Sequence, residues 1–300
     1  MHRRGPHSQI VGGGFEGGDE AHYDPTVSDD AYATGGARLP PGRAPQKKRA
    51  GWPEVLLSLS QADLRIRYGR GPLRLLRWLL EPFALAGVYL VFVAVVLNRP
   101  GHAIGLSLAC AVVPFQLLMA TTINALGSIT ARRSIILNMK FNRLLIPLAT
   151  TLTEMAVFAA SFALIVMMML IYGVGPASSL VWLPVALLMN VLLAVALAFP
   201  AALFGLWFKE LRVFAISFMR TLFFLAPSLV PHSVTTGLAY NLLKLNPLTG
   251  LFDTYRDIFL YDRTPAAWAV LYPTGVALVL LGIAVPVYRH EQDQFAKVVE

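Results

Sequence analysis

The sequence predicts an all-α membrane protein: six transmembrane helices, an N-terminal amphipathic interfacial helix, and an outer re-entrant helical hairpin between spans five and six. Three observations carry this. Only 14% of the 300 residues are charged while 56% are hydrophobic, against roughly 25% charged residues in soluble domains. Between Glu154 and Lys209 no Asp, Glu, Lys or Arg occurs for 54 consecutive residues, about twice the ~20 that one bilayer crossing takes. Gly173-Val174-Gly175-Pro176 interrupts that run and divides it into two spans joined by an uncharged hairpin. A soluble helix of this length with no polar face would need burial all round. No alternation of period two is strong enough for a barrel.

Residues 1–50 form a separate regime, with Gly12-Gly13-Gly14, Pro40-Pro41 and basic Lys47-Lys48-Arg49. Too few apolar side chains occur there to offset ordering entropy, so a disordered cytoplasmic tail is expected. It lacks the apolar run of a cleaved secretory signal. From residue 51 to 300 the chain reads as one membrane domain. Its first element, an interfacial helix over 53–80, interleaves Leu56, Leu57, Leu59, Leu64 and Ile66 with Arg65, Arg67, Arg70, Arg74 and Arg77. Gly69, Gly71 and Pro72 divide it. The spans follow at about 80–98, 102–128, 146–172, 180–207, 213–231 and 266–288. Pro114 is a kink within the second.

Loop charges orient these spans. Lys47, Lys48, Arg49 and the five arginines from Arg65 to Arg77 precede span one. Arg132, Arg133, Lys140 and Arg143 lie between spans two and three, and Lys209 and Arg212 between four and five. The opposite side has Arg99 and an uncharged hairpin, and the segment 231–265 balances its bases with acids. Both termini are therefore expected in the cytoplasm, with the chain multi-pass in the inner or plasma membrane. The net charge of +8 flanks apolar spans and forms no continuous basic face, so nucleic acid is not the expected partner.

The chain holds no H-E-x-x-H or C-x-x-C spacing, no phosphate loop and only Cys110, so neither a metal nor an intrachain disulfide is expected. Asp253 and Asp257, one helical turn apart, read as a solvated face beside Arg256 before they read as metal ligands. Two charges fall inside spans: Glu154 in span three and Arg220 in span five, at a similar depth of roughly 10–15 Å. Such charges are costly and tend to pair or to face water. Glu154 and Arg220 are expected to pair, or both to line a wet cavity; alternatively Arg220 snorkels to the interface. The loop 131–145 mixes basic residues with Ile135, Ile136, Leu137, Met139 and Phe141, which suits a short helix presented to a partner protein. The segment opened by Asn246-Pro247 is helix-like but too short and polar to span, which suggests the outer re-entrant hairpin.

Four motifs in order resemble the permease subunit of ABC transporters that export O-antigen, capsule, teichoic acid and related glycans. Asp63-Leu-Arg-Ile-Arg-Tyr68 is similar to a D-x-[KR]-x-R-Y motif before span one. Asn138 to Pro147 resembles the cytoplasmic segment leading into span three. Phe223-Phe224-x-Ala226-Pro227 is similar to F-F-x-S-P in span five, and Asn246-Pro247 with Arg256-Asp257 to an N-P…R-D pair. The resemblance covers about residues 53–300. Lys209-Glu210 stands where the family has R-D, and Phe115 where it often has Trp. The R-R-S-x-L-G-x-x-W that usually follows the first motif is blurred to Gly69–Trp78. The resemblance implies a homodimer with two ATPase subunits that carry ATP and Mg, no cofactor on this chain, and a lipid-linked glycan as substrate among membrane lipids. It implies a head-group gate at Asp63, Arg65, Arg67, Tyr68 and Arg70, whose arginines suit a pyrophosphate. It implies ATPase coupling through Arg132, Arg133, Met139, Lys140, Phe141 and Arg143, and stacking faces at Tyr89, Phe92, Phe115, Phe158 and Phe162. Competing readings are a drug or lipid exporter and a membrane-embedded glycan or lipid transferase; the latter would need an acidic or His cluster at one membrane face.

Overall fold

The structure, a computed structural model, describes residues 51–69, 80, 83–84, 87–88, 91, 103–139, 141–208, 210–226, 238–292 and 295. The expected tail, most of span one and the end of span five lie outside the described residues, as do Arg70, Tyr89, Phe92 and Lys140. Among the described residues all regular structure is helical: α1 (Trp52–Tyr68), α2 (Ile104–Leu126), α3 (Ser128–Ala131), α4 (Arg133–Asn138), α5 (Leu145–Tyr172), a 3₁₀ turn (Ser178–Trp182), α6 (Leu183–Trp207), α7 (Leu211–Leu225), α8 (Leu238–Leu243), α9 (Pro247–Phe259) and α10 (Ala267–Glu291).

Local sequence explains the boundaries. At the start of α1 the Gly51 N–H donates to the Glu54 carboxylate at 3.2 Å, with Pro53 in the first turn. The helix stops at Gly69, whose φ of 72° leaves the helical region. The long α5 ends at Gly173, φ 66°, where the Val174 N–H donates to the Met169 carbonyl at 2.9 Å and the Gly173 N–H to that of Leu170. This is the helix-ending geometry that Gly favours.

Four helices are long and apolar enough to cross a membrane: Ile104–Leu126, Leu145–Tyr172, Ser178–Trp207 and Ala267–Glu291. They match expected spans two, three, four and six within a few residues. For span five, α7 offers 15 described residues, about 22 Å of helix.

The helices run alternately up and down. At one end the Gly105 N–H donates to the Tyr172 hydroxyl, Ser179 to the Ile258 carbonyl and Tyr272 to the Leu245 carbonyl. At the other, basic end, Arg143 donates to the Gln292 carbonyl and Tyr288 to that of Arg143. Helix α2 is the hub, packed by α5, α6, α7 and α9. It meets α6 so closely at Gly205 that a Cβ there would lie 1.9 Å from the Leu126 carbonyl oxygen. Only Gly allows that approach.

Helices α8 and α9 connect α7 to α10. Asn246 caps α9, accepting from the Leu248 N–H at 3.0 Å and donating to the Leu222 carbonyl at 2.7 Å. Every residue of α9 from Leu248 to Phe259 is buried, because α2, α6 and α10 enclose it. This corrects the expectation of a solvated face at Asp253 and Asp257. The Asp253 carboxylate faces Arg256 Nη1 at 3.7 Å, and Asp257 accepts from Arg263 Nε at 2.5 Å.

Candidate functional site

Helix α1 lies along α5 and turns an unexpected stripe toward it. Leu59, Ser60, Asp63 and Arg67 recur at helical spacing, so they share one face. Leu59 and Ser60 are buried. The Thr153 hydroxyl donates to the Ser60 hydroxyl oxygen at 3.1 Å. Asp63 accepts a charge-assisted bond from Arg132 at the α3–α4 turn, and Arg67 donates to Glu154 of α5. The outward positions carry Trp52, Leu57, Arg65 and Ile66, all exposed. The Leu/Arg pattern of the sequence was expected to put apolar residues on one side and cations on the other. Instead, one acid and one cation of α1 face the protein because buried partners of opposite charge await them.

The Glu154 carboxylate is 3% exposed. Besides Arg67, it accepts from Asn124 Nδ2 of α2 at 3.0 Å. Its observed ion-pair partner is thus Arg67, not the expected Arg220. Arg220 enters through the second expectation: Glu154 and Arg220 both line one cavity of about 520 Å³. Its walls are helical stripes. From α2 come Val113, Gln116, Leu117, Ala120 and Asn124; from α5, Glu154, Val157, Phe158 and Ser161; from α7, Arg212 and Arg220. A second cavity of about 340 Å³ adjoins it, sharing Arg67, Ile123, Asn124 and Arg212 and adding Asp63, Arg132 and Thr150.

Burial pushes the Asp63 carboxyl above its ordinary value, with Arg132 and then Arg67 pulling the other way. Burial likewise lowers Arg132, opposed by the Asp63 charge. A guanidinium stays protonated through such a shift, so Arg132 presents a positive charge to the Asp63 carboxyl.

The remaining expected residues separate into groups. Of the head-group gate, Asp63 and Arg67 enter the site, Arg65 is exposed to solvent, and Tyr68 ends α1. Of the coupling set, Arg132 is buried in its pair with Asp63, and Arg143 is half-buried and donates to the Gln292 carbonyl. Arg133 and Met139 are exposed, Met139 at 63%, with Leu137 beside them; Phe141 packs inward. Of the aromatics, Phe115 and Phe158 line the cavity. Phe162 packs among Phe158, Tyr255 and Phe259. Arg256 is wholly buried, its Nε donating to the Ser107 hydroxyl at 3.0 Å. Gln116, Asn124 and Ser161 were not singled out from the sequence, and Arg212 only as a loop charge. The signal was there for the first two: amide side chains two turns apart in a mostly apolar helix.

Apolar helices long enough to span, with a further helix docked along their basic end and a charged cavity beside it, mark a multi-pass membrane protein. No protein-family model matches the chain. The chain is similar to the O-antigen export system permease protein RfbA of Myxococcus xanthus, 25% identical over 245 residues, which is 81% of this chain and 94% of that protein. It is also similar to two O-antigen export system permease proteins RfbA of Klebsiella pneumoniae, 24% and 23% identical over 234 residues, 77% of this chain and 90% of each relative. These relatives bear out the resemblance read from the four motifs.

Proposed function

We propose that this chain is the permease subunit of an ABC exporter that moves a lipid-linked polysaccharide or cell-wall glycan from the cytoplasmic to the outer side of the membrane. The observation that carries the reading is the match along 90–94% of the length of three export permeases. It is a transport subunit rather than an enzyme. ATP and Mg²⁺ are bound by a separate ATPase, in keeping with the missing phosphate loop.

In this reading two copies of the chain assemble with two ATPase subunits in the inner or plasma membrane. Six spans place both termini in the cytoplasm, since the basic end of the bundle gathers Arg65, Arg132, Arg133, Arg143 and Arg212. Helix α4 meets the ATPase through Arg133, Leu137 and Met139. Asn246, Pro247, Arg256 and Asp257 belong to an outer re-entrant hairpin, and its closed ion pairs fit a short helix held inside the bundle. Depletion of the chain in cells tests the reading. Lipid-linked glycan should accumulate inside, and purification in mild detergent should bring down an ATPase. Undiminished surface glycan with no ATPase recovered would refute it; loss of drug or lipid efflux instead would favour an exporter of that cargo.

A further inference from the structure

The connection from α2 to α5, which carries α4, is fastened at both ends. At its start Arg132 is paired with Asp63 of α1. At its end residue 143 is held twice. The Arg143 carbonyl accepts from the Tyr288 hydroxyl at 3.2 Å, and its guanidinium donates to the Gln292 carbonyl. Tyr288 lies in the final turn of α10 and Gln292 closes that helix. Phe295, a little further on, is wholly buried, although His290-Glu-Gln-Asp-Gln294 before it is polar. Its ring stands edge-on to Tyr288 with centroids 5.1 Å apart, and Tyr288 stands edge-on to Phe199 of α6 at 5.3 Å. The three rings share one apolar cluster with Ile129 of α3 and Ile136 of α4, and Phe141 packs against it. A segment beyond a helix end stays in place only where contacts offset its entropy. A lone aromatic ring sunk to zero exposure within a polar stretch is such a contact.

We infer that Phe295 and Tyr288 form a clamp that fixes α4 and the entry to α5 onto the basic end of α10. The clamp sets the position of the exposed face made by Arg133, Leu137 and Met139. Helix α4 has six residues, well under the ~12–15 that hold together unaided. Its place therefore depends on what it packs against, and its one buried side chain is Ile136. Through Ile136 and residue 143, α4 and the inner end of α10 form one body. A push on α4 then reaches α10, which packs along α6 and α9, instead of being absorbed by a slack loop. Phe295 and Tyr288 are positioning residues: both are wholly buried and act through the surface they support. The inference rests on the transport reading for what pushes α4; the clamp itself stands on the packing alone.

The test uses the full-length chain in nanodiscs, with Phe141→Cys as reporter and a water-soluble maleimide as probe. The native Cys110 is wholly buried in α2 and serves as an internal control. On this background Phe295→Ala should raise labelling at position 141 about tenfold. Tyr288→Phe should raise it about threefold by loss of one hydrogen bond. Phe295→Leu should stay near the parent rate, because it refills most of the site. Unchanged labelling in both Phe295→Ala and Tyr288→Phe overturns the clamp. If Phe295→Ala yields no folded chain, Tyr288→Phe decides alone. Labelling of Cys110 in step with position 141 in that variant would mean that the contact supports the whole bundle, and overturns the inference. A second arm omits the reporter and purifies the chain with its ATPase. Phe295→Ala should leave recovery of the ATPase unchanged and lower ATP turnover about fivefold, and Phe295→Leu should restore it. Full turnover beside raised labelling overturns the positioning role. If no ATPase copurifies with the unaltered chain, the transport reading falls, and the labelling alone decides the clamp.

Discussion

Two regions of this bundle carry charges among apolar helices, and they carry them differently. In α9, Arg256 is fully enclosed, facing Asp253 and donating to Ser107, while Asp257 is matched by Arg263. Around Glu154, the acid has Arg67 and Asn124, yet Arg212 and Arg220 look into the same open cavity. In the first region acids and bases balance and all but Arg263 are buried; the second is open, and its described lining has more cations than acids. A balanced, buried pair fixes an element in place, whereas an open cavity with excess charge stays accessible. Span-depth charge alone therefore does not identify a functional site; balance and access decide.

The largest expected effect breaks the closed region. Arg256→Gln leaves the Asp253 carboxylate buried opposite a neutral group, a cost of about 3–5 kcal/mol. It should abolish a monodisperse peak in fluorescence-detected size-exclusion chromatography, and a normal peak would show that α9 tolerates imbalance as the cavity does. Next comes the hub that both regions share. Gly205→Ala drives a Cβ against the Leu126 carbonyl, so α2 and α6 must separate at about 1–3 kcal/mol. Its melting temperature should fall; an unchanged one would show that the α2–α6 contact can relax.

Glu154→Gln should cost less than either, under about 1 kcal/mol. Its partner Arg67 is 29% exposed and can turn to water, which discounts the pair. A melting loss as large as that of Arg256→Gln would erase the distinction between the two regions. The smallest effect is a pH dependence at the mouth. The folded Asp63 carboxyl is raised above its ordinary value of 3.8 by burial. Its ionisation therefore costs more in the folded than in the unfolded chain, and stability declines as pH rises from the ordinary value through the folded one. Asp63→Asn should flatten that acid-range slope in a thermal-melting series; an unchanged slope would assign it to another group.

The spans were legible because apolar length is a one-dimensional property: Ile104–Leu126, Leu145–Tyr172 and Ala267–Glu291 fall within a few residues of the hydropathy reading. Glu154 stood out for the same reason, as a charge in a run that should have none. Its partner did not, because the pairing of Arg67 with Glu154 depends on how α1 lies along α5, and no local pattern encodes that. The burial of Asp253 and Asp257 was hidden likewise: a helix with acids and a base one turn apart looks solvated until three neighbours enclose it. Arg132 looked like a surface cation for a partner, but Asp63, far away in sequence, claims it. Gln116 and Asn124, eight residues apart within α2, were the overlooked clue, since they share the face that opens on the cavity.

The stripe on α1 also sets a timetable for synthesis. Ser60, Asp63 and Arg67 are made early, but their partners follow 93, 69 and 87 residues later. At about 5–20 residues per second, α1 waits several seconds before α5 exists to receive it. During that interval its acid and cations have only water or lipid head groups to meet. The docking of α1 is consequently a late event in biogenesis, one that reports that the chain has been threaded at least as far as Glu154.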